Sequence, residues 1–118
     1  MMSRMVPKIV PALAIVILVL DGSSVRAASD TCIQGFVWRE ASTADHVCVT
    51  PQTRTETAAD NAAALSRINP NGGAFGKFTC LQGFVWREAF NGDTVCVTPE
   101  TRAQAAADNA RAAQRVVH

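Results

Sequence analysis

The chain has 118 residues, 11 basic and 10 acidic side chains, a net charge of +1 and only 6% aromatic residues. So even a balance leaves no basic footprint for nucleic acid or anionic lipid, and those partners are excluded. Once the first 27 residues are removed as argued next, eight basic residues face nine acidic ones, a net charge of −1.

Residues 1–27 read as an export signal. Arg4 and Lys8 form a positive start, Ile9 to Leu20 is an apolar run of 12 residues, and Val25-Arg26-Ala27 offers a cleavage site before Ala28. Twelve apolar residues fall short of the roughly 20 that span a bilayer, so no membrane span is expected after cleavage. The expected location is secreted, extracellular or in the cell envelope. The remaining 91 residues contain all four cysteines, Cys32, Cys48, Cys80 and Cys96. An even count in a short exported chain reads as a disulfide framework.

Displaced by 48 residues, the chain matches itself. Thr31-Cys32-Ile33-Gln34-Gly35-Phe36-Val37-Trp38-Arg39-Glu40-Ala41 returns as Thr79-Cys80-Leu81-Gln82-Gly83-Phe84-Val85-Trp86-Arg87-Glu88-Ala89. Val47-Cys48-Val49-Thr50-Pro51 returns as Val95-Cys96-Val97-Thr98-Pro99. Such a repeat sets the architecture: unit 1 at 28–68, a Gly-, Pro- and Asn-rich linker at 69–78, and unit 2 at 79–118. A unit copied whole carries its own staple, so the expected pairs are Cys32–Cys48 and Cys80–Cys96. Each closes a ring of about 17 residues and stabilises by roughly 3 kcal/mol in the chain-entropy model. Units of this size bury little apolar surface, so that contribution decides whether they fold.

Within each unit the pattern predicts a β-hairpin followed by a helix, an α+β fold. Period-two alternation through Phe36, Trp38 and Glu40 marks a strand. A turn follows at Ala41 to Asp45, and the second copy places Asn91-Gly92 there, a strong hairpin signal. The return strands are 46–49 and 94–97. Thr50-Pro51 and Thr98-Pro99 then open helices, the threonine capping and the proline losing no needed N–H. The first helix is expected to reach about Ile68, with Ala58, Ala62, Leu65 and Ile68 on the packed side. Phe36 and Trp38 are expected to fill the space beneath it, as are Phe84 and Trp86 in the second unit.

The string Cys-x-x-Gly-Phe-Val-Trp-Arg-Glu-Ala, followed by Val-Cys-Val-Thr-Pro and an Ala-rich run with Asp-Asn, resembles a repeat of uncharacterised exported bacterial proteins. The resemblance covers essentially the whole chain after the leader. It implies export and repeat architecture, and it carries over no catalytic or binding residue.

Metal binding is not expected. Each copy offers two cysteines where a closed zinc site needs four ligands, and His46 is Thr94 in the other copy. Nor is a cofactor or an enzyme expected: stapled cysteines leave no thiol, and no serine sits in a Gly-framed elbow. Glu40 with Asp45 reads better as partners for Arg39 or Arg54 than as an acid–base pair.

The repeated polar set, which includes Arg39, Arg54, Asn61 and Arg67 and their partners Arg87, Arg102, Asn109 and Arg115, is the chief functional lead. Asp60-Asn61 lies inside a helix that its propensity disfavours, so a compensating hydrogen bond to the hairpin or to Arg54 is expected. The sharper alternative makes Arg and Asn flank a groove between hairpin and helix. Trp38 and Trp86 pose the same choice. In so small a unit they are expected as core, whereas beside an exposed Arg they would suit a sugar or a peptide. The leading expectation is a non-catalytic binding module with two similar units and a protein or glycan ligand. Its rival is an inhibitor of secreted hydrolases, acting through the braced loops 41–46 and 90–94 where the copies differ most.

Overall fold

The computed structural model describes residues 30–118, and the expected signal segment 1–27 lies outside them. Residues Asp30–Val117 form one compact unit. In chain order it contains β1 (Val37–Trp38), β2 (Cys48–Val49), α1 (Pro51–Ala63) and a 3₁₀ turn at Ala64–Arg67. A short 3₁₀ turn at Gly76–Phe78 follows, then β3 (Val85–Trp86), β4 (Cys96–Val97), α2 (Pro99–Arg111) and a last 3₁₀ turn at Ala112–Arg115. Each copy is a hairpin followed by a helix, the expected α+β arrangement. No helix among the described residues is long and apolar enough to cross a membrane.

Both hairpins are antiparallel and share one register: Val37 faces Val49 and Trp38 faces Cys48, as Val85 faces Val97 and Trp86 faces Cys96. The disulfides are Cys32–Cys48 and Cys80–Cys96, with Cα atoms 5.6 and 5.7 Å apart. Among the described residues no cysteine is free. Each staple ties the segment before the hairpin to the return strand, whose Cys and Val are fully buried.

The strands are short because the backbone leaves the extended region at Glu40 and Glu88, where φ is +55° and +52°. These are non-glycine residues in the left-handed region, a conformation that costs roughly 1–2 kcal/mol. The loops differ at the tip. Gly92 takes φ +91° in the turn closed by the Asp93 N–H on the Phe90 carbonyl, 3.1 Å away. Asn91 keeps a negative φ, so Asn-Gly here serves a type II-like turn inside a longer loop rather than a two-residue hairpin connection.

Helix starts follow the sequence. Thr50 and Thr98 accept from the N–H of Thr53 and Thr101, both at 3.2 Å, with proline in the first turn. The packed face differs from expectation. Leu65 is 84% exposed, and the buried helical positions are Thr57, Ala105 and Asp108. Ala58 and Ala62 are also exposed. The helix buries a narrow, partly polar strip because what lies beneath it is polar.

That polar layer is the unexpected part of the core. Arg39 and Arg87 are each only 2% exposed, deeper than either tryptophan. Arg39 makes a two-point contact with Asp45, Nε to Oδ2 at 2.7 Å and Nη2 to Oδ1 at 3.1 Å. Arg87 repeats it on Asp93 at the same distances. Asp45 also accepts from the N–H of Ala41 and Val47, so one carboxylate shapes the whole loop. Burial pushes its pKa up, but Arg39 and those two amides outweigh it and hold Asp45 below its usual 3.8.

The two copies exchange their ends. After α1, Ile68 bridges to Cys80 of the second copy, and after α2, Val116 returns to bridge Cys32 of the first. Arg67 donates to the Cys96 carbonyl and lies over the Phe84 ring at 4.9 Å. Arg115 donates to the Cys48 carbonyl and lies over Phe36 at 4.7 Å. So Phe36 is covered by an arginine from the other copy. The segment 69–78, read as a linker, is folded as a turn: Asn69 N–H bonds to Thr79 O at 2.8 Å and Gly72 N–H to Asn69 O at 2.9 Å. The repeats remain sequence units, but each is completed by its neighbour.

Candidate functional site

The exchange also fixes the helical Asp-Asn pairs. Asn61 and Asn109 donate to the carbonyls of Ala41 and Ala89, tying each helix to its own hairpin loop. Asp60 and Asp108 accept from Arg67 and Arg115 at 2.9 Å, aiming those arginines at the opposite copy. The disfavoured residues therefore make the bonds that join hairpin, helix and partner copy. Arg67 and Arg115 belong to the repeated polar set, and their pairing with the other copy carries no sequence signal.

The sequence-predicted residues separate into two groups. Arg39, Arg87, Asn61 and Asn109 hold the fold. Trp38 with Arg54, and Trp86 with Arg102, come together on the surface as the walls of two clefts. The first, of about 280 Å³, is lined by Thr31, Cys32, Phe36, Val37, Trp38 and Arg54. The second, of about 350 Å³, is lined by the matching Thr79, Cys80, Phe84, Val85, Trp86 and Arg102, with Phe75 and Glu88 added. Two clefts, one per copy, arise from the same residues at the same register.

Each cleft has an apolar floor formed by strand, phenylalanine and disulfide, and a charged wall. Arg54 pairs with Glu40 at 2.7 Å and Arg102 with Glu88 at 2.7 Å, all four side chains half exposed. The left-handed backbone at Glu40 and Glu88 lies at this wall, where each carboxylate meets the helix arginine. The indoles are half-buried and held: Trp38 Nε1 donates to Asp30 O at 2.8 Å and Trp86 Nε1 to Phe78 O at 2.9 Å. The tryptophans are therefore neither core nor free surface.

The two clefts differ in what covers the indole. In the first copy His46 stacks on Trp38 with ring centres 3.7 Å apart and reaches Asp30 Oδ2 at 2.6 Å. In the second, Thr94 replaces the histidine, and Phe75 from segment 69–78 meets Trp86 edge-on at 5.9 Å. Phe75 is 71% exposed, so the second cleft has an added aromatic lip standing in solvent.

No group of three or more His, Cys, Asp or Glu residues suited to a metal occurs among the described residues. Compared with family models, with curated proteins and with solved structures, the chain has no match.

Proposed function

We propose that this chain is an exported, non-catalytic binding module that presents two related aromatic clefts to an extended ligand, a glycan or a peptide. The observation that carries the reading is the pairing of Trp38 with Arg54 and of Trp86 with Arg102 on cleft walls in both copies. A held indole loses little conformational freedom on binding, and its flat face suits a sugar ring or an apolar side chain. The arginine beside it supplies a directed donor at the rim. Because the copies exchange ends within one body, the sites sit at a fixed spacing, and a ligand long enough to reach both gains through effective concentration. Export is supported by the leader composition and by the two disulfides.

Titrating the oxidised chain with glycan and peptide panels, read by indole fluorescence, tests the proposal. A binder should move the emission, and Trp38→Ala and Trp86→Ala should each remove one phase of the response. If no oligosaccharide or peptide perturbs either indole, the clefts are not binding sites.

A second reading, inhibition of secreted hydrolases, is favoured by the braced loops. Asp93 shapes the second loop from within, and Phe90 stands 38% exposed at its tip. A rigid loop with an exposed aromatic is what an inhibitory contact needs. A hydrolase panel separates the readings: slowed turnover that Phe90→Ala relieves would replace the first with the second.

A further inference from the structure

The second cleft differs from the first in shape. Phe75 meets Trp86 with the ring planes 62° apart, so the two rings make a corner and not a flat platform. Phe84, Val85 and the Cys80 end of the disulfide add further apolar lining. Position 75 matches Ala27 in the repeat, so the first copy has no aromatic residue to serve as a lip.

The polar side chains of this cleft are few and already engaged. Thr79 Oγ1 accepts from the Phe75 N–H at 2.9 Å and donates to the Gly76 carbonyl at 2.7 Å. Arg102 and Glu88 pair with each other. A sugar ring carries hydroxyls on its edges, and each one desolvated without a partner costs free energy. An apolar corner suits a compact aliphatic side chain better.

Charge distinguishes the flanks. Arg102 is half exposed and gives only Nη2 to Glu88 among the described residues, so it keeps donors for a second carboxylate. Lys77 is exposed and makes no ion pair among the described residues. Its ammonium lies 5.2 Å from the ring centre of Phe78, whose carbonyl accepts from Trp86 Nε1. With Glu88 offset by Arg102, the second cleft has an excess positive charge beside it. In the first copy Asp30 replaces Phe78 as acceptor of the indole N–H, and Ser29 stands at the position of Lys77. Two acids, Asp30 and Glu40, there accompany one arginine, and His46 lies on the indole.

We propose that the second cleft is the principal docking site for an acidic peptide segment of a partner protein, anchored by one aliphatic side chain. The anchor enters the corner between Phe75 and Trp86, and flanking carboxylates meet Arg102 and Lys77. This rests on the reading of the clefts as binding sites and narrows their ligand to one class of peptide. The first cleft, with acidic flanks and no lip, contributes the weaker contact.

Fluorescence titration of Trp86 in the oxidised Trp38→Phe chain tests it with capped hexapeptides. One probe has leucine flanked by aspartates, a second leucine flanked by lysines, and a third alanine flanked by aspartates; maltohexaose and chitotetraose are the glycan probes. The aspartate–leucine peptide should saturate the response and bind about tenfold tighter than either other peptide, since one loses charge attraction and the other apolar burial. Phe75→Ala removes an exposed ring and keeps the backbone bond to Thr79, and it should weaken binding about tenfold. Lys77→Gln should weaken it about threefold and flatten its salt dependence. Equal binding of the aspartate and lysine peptides, or an affinity unmoved by Phe75→Ala, would overturn the proposal. Glycan binding without a response to the aspartate–leucine peptide would overturn it and leave the clefts as binding sites. Silence from every probe would overturn both.

Discussion

Arg115→Ala is the most informative single substitution, because Arg115 joins three parts of the fold. It donates to Asp108 and to the Cys48 carbonyl, and it covers Phe36. Its side chain is 13% exposed and that of Asp108 only 4%, so truncation strands a buried carboxylate. Removing one partner of a buried pair costs about 3–5 kcal/mol, and the lost contact over Phe36 contributes roughly 0.5–1 kcal/mol within that range. At about 5 °C per kcal/mol for a domain of this size, Tm should fall by roughly 15 °C or more. Arg67→Ala, whose pair with Asp60 is more exposed at 24% and 16%, should cost less, about 1–3 kcal/mol. The assay is urea unfolding followed by indole fluorescence, with Trp38→Phe and Trp86→Phe backgrounds reporting one copy each. Because each copy is completed by the other, both reporters should give one midpoint, and Arg115→Ala should move the two together. A loss below about 1 kcal/mol, or two separate transitions, would refute a shared fold held by the exchanged arginines.

Trypsin acting after Lys77 on the oxidised chain should yield two fragments that stay associated without any disulfide between them, and that separate in denaturant; size-exclusion chromatography reads the outcome. Asp45 makes the fold acid-sensitive: its pKa is lowered, so its contribution is fully present above the unfolded value of 3.8 and is lost as pH falls through the lower folded value. Asp45→Asn should flatten that part of the stability–pH curve while lowering stability at neutral pH. At Glu88, where φ is +52°, Gly should be more stable than Ala by about 1 kcal/mol, since both remove the exposed pair with Arg102 and only Gly relieves the backbone. Equal stabilities for the two variants would mean the left-handed backbone carries no strain there.

Local features were legible without coordinates. The two rings follow from the duplication, and the helix starts follow from Thr-Pro, since a cap depends on a few neighbouring residues. Burial was harder to read. The small size of each unit pointed to Trp38 as core, and Arg39 stood among the candidate binding residues, whereas Asp45, six residues on, curls back to neutralise Arg39 and lets it occupy the interior. The partly polar core then left Leu65 with no apolar surface to cover. The clefts were foreshadowed by Trp38, Arg54 and their repeats, but only the packing of each helix on its hairpin brings Trp and Arg to one cleft.

The sequence by itself determined the two staples, the hairpin-then-helix order and the candidate cleft residues, because each depends on contacts closed within about 20 residues of chain. Tertiary structure alone decided which copy each arginine serves. Arg67 would meet the same chemistry at the Cys48 carbonyl or the Cys96 carbonyl, and over Phe36 or Phe84, because the repeats present identical partners. Duplication makes the two pairings indistinguishable in sequence, and the path of segment 69–78 between Ile68 and Cys80 selects the exchanged one.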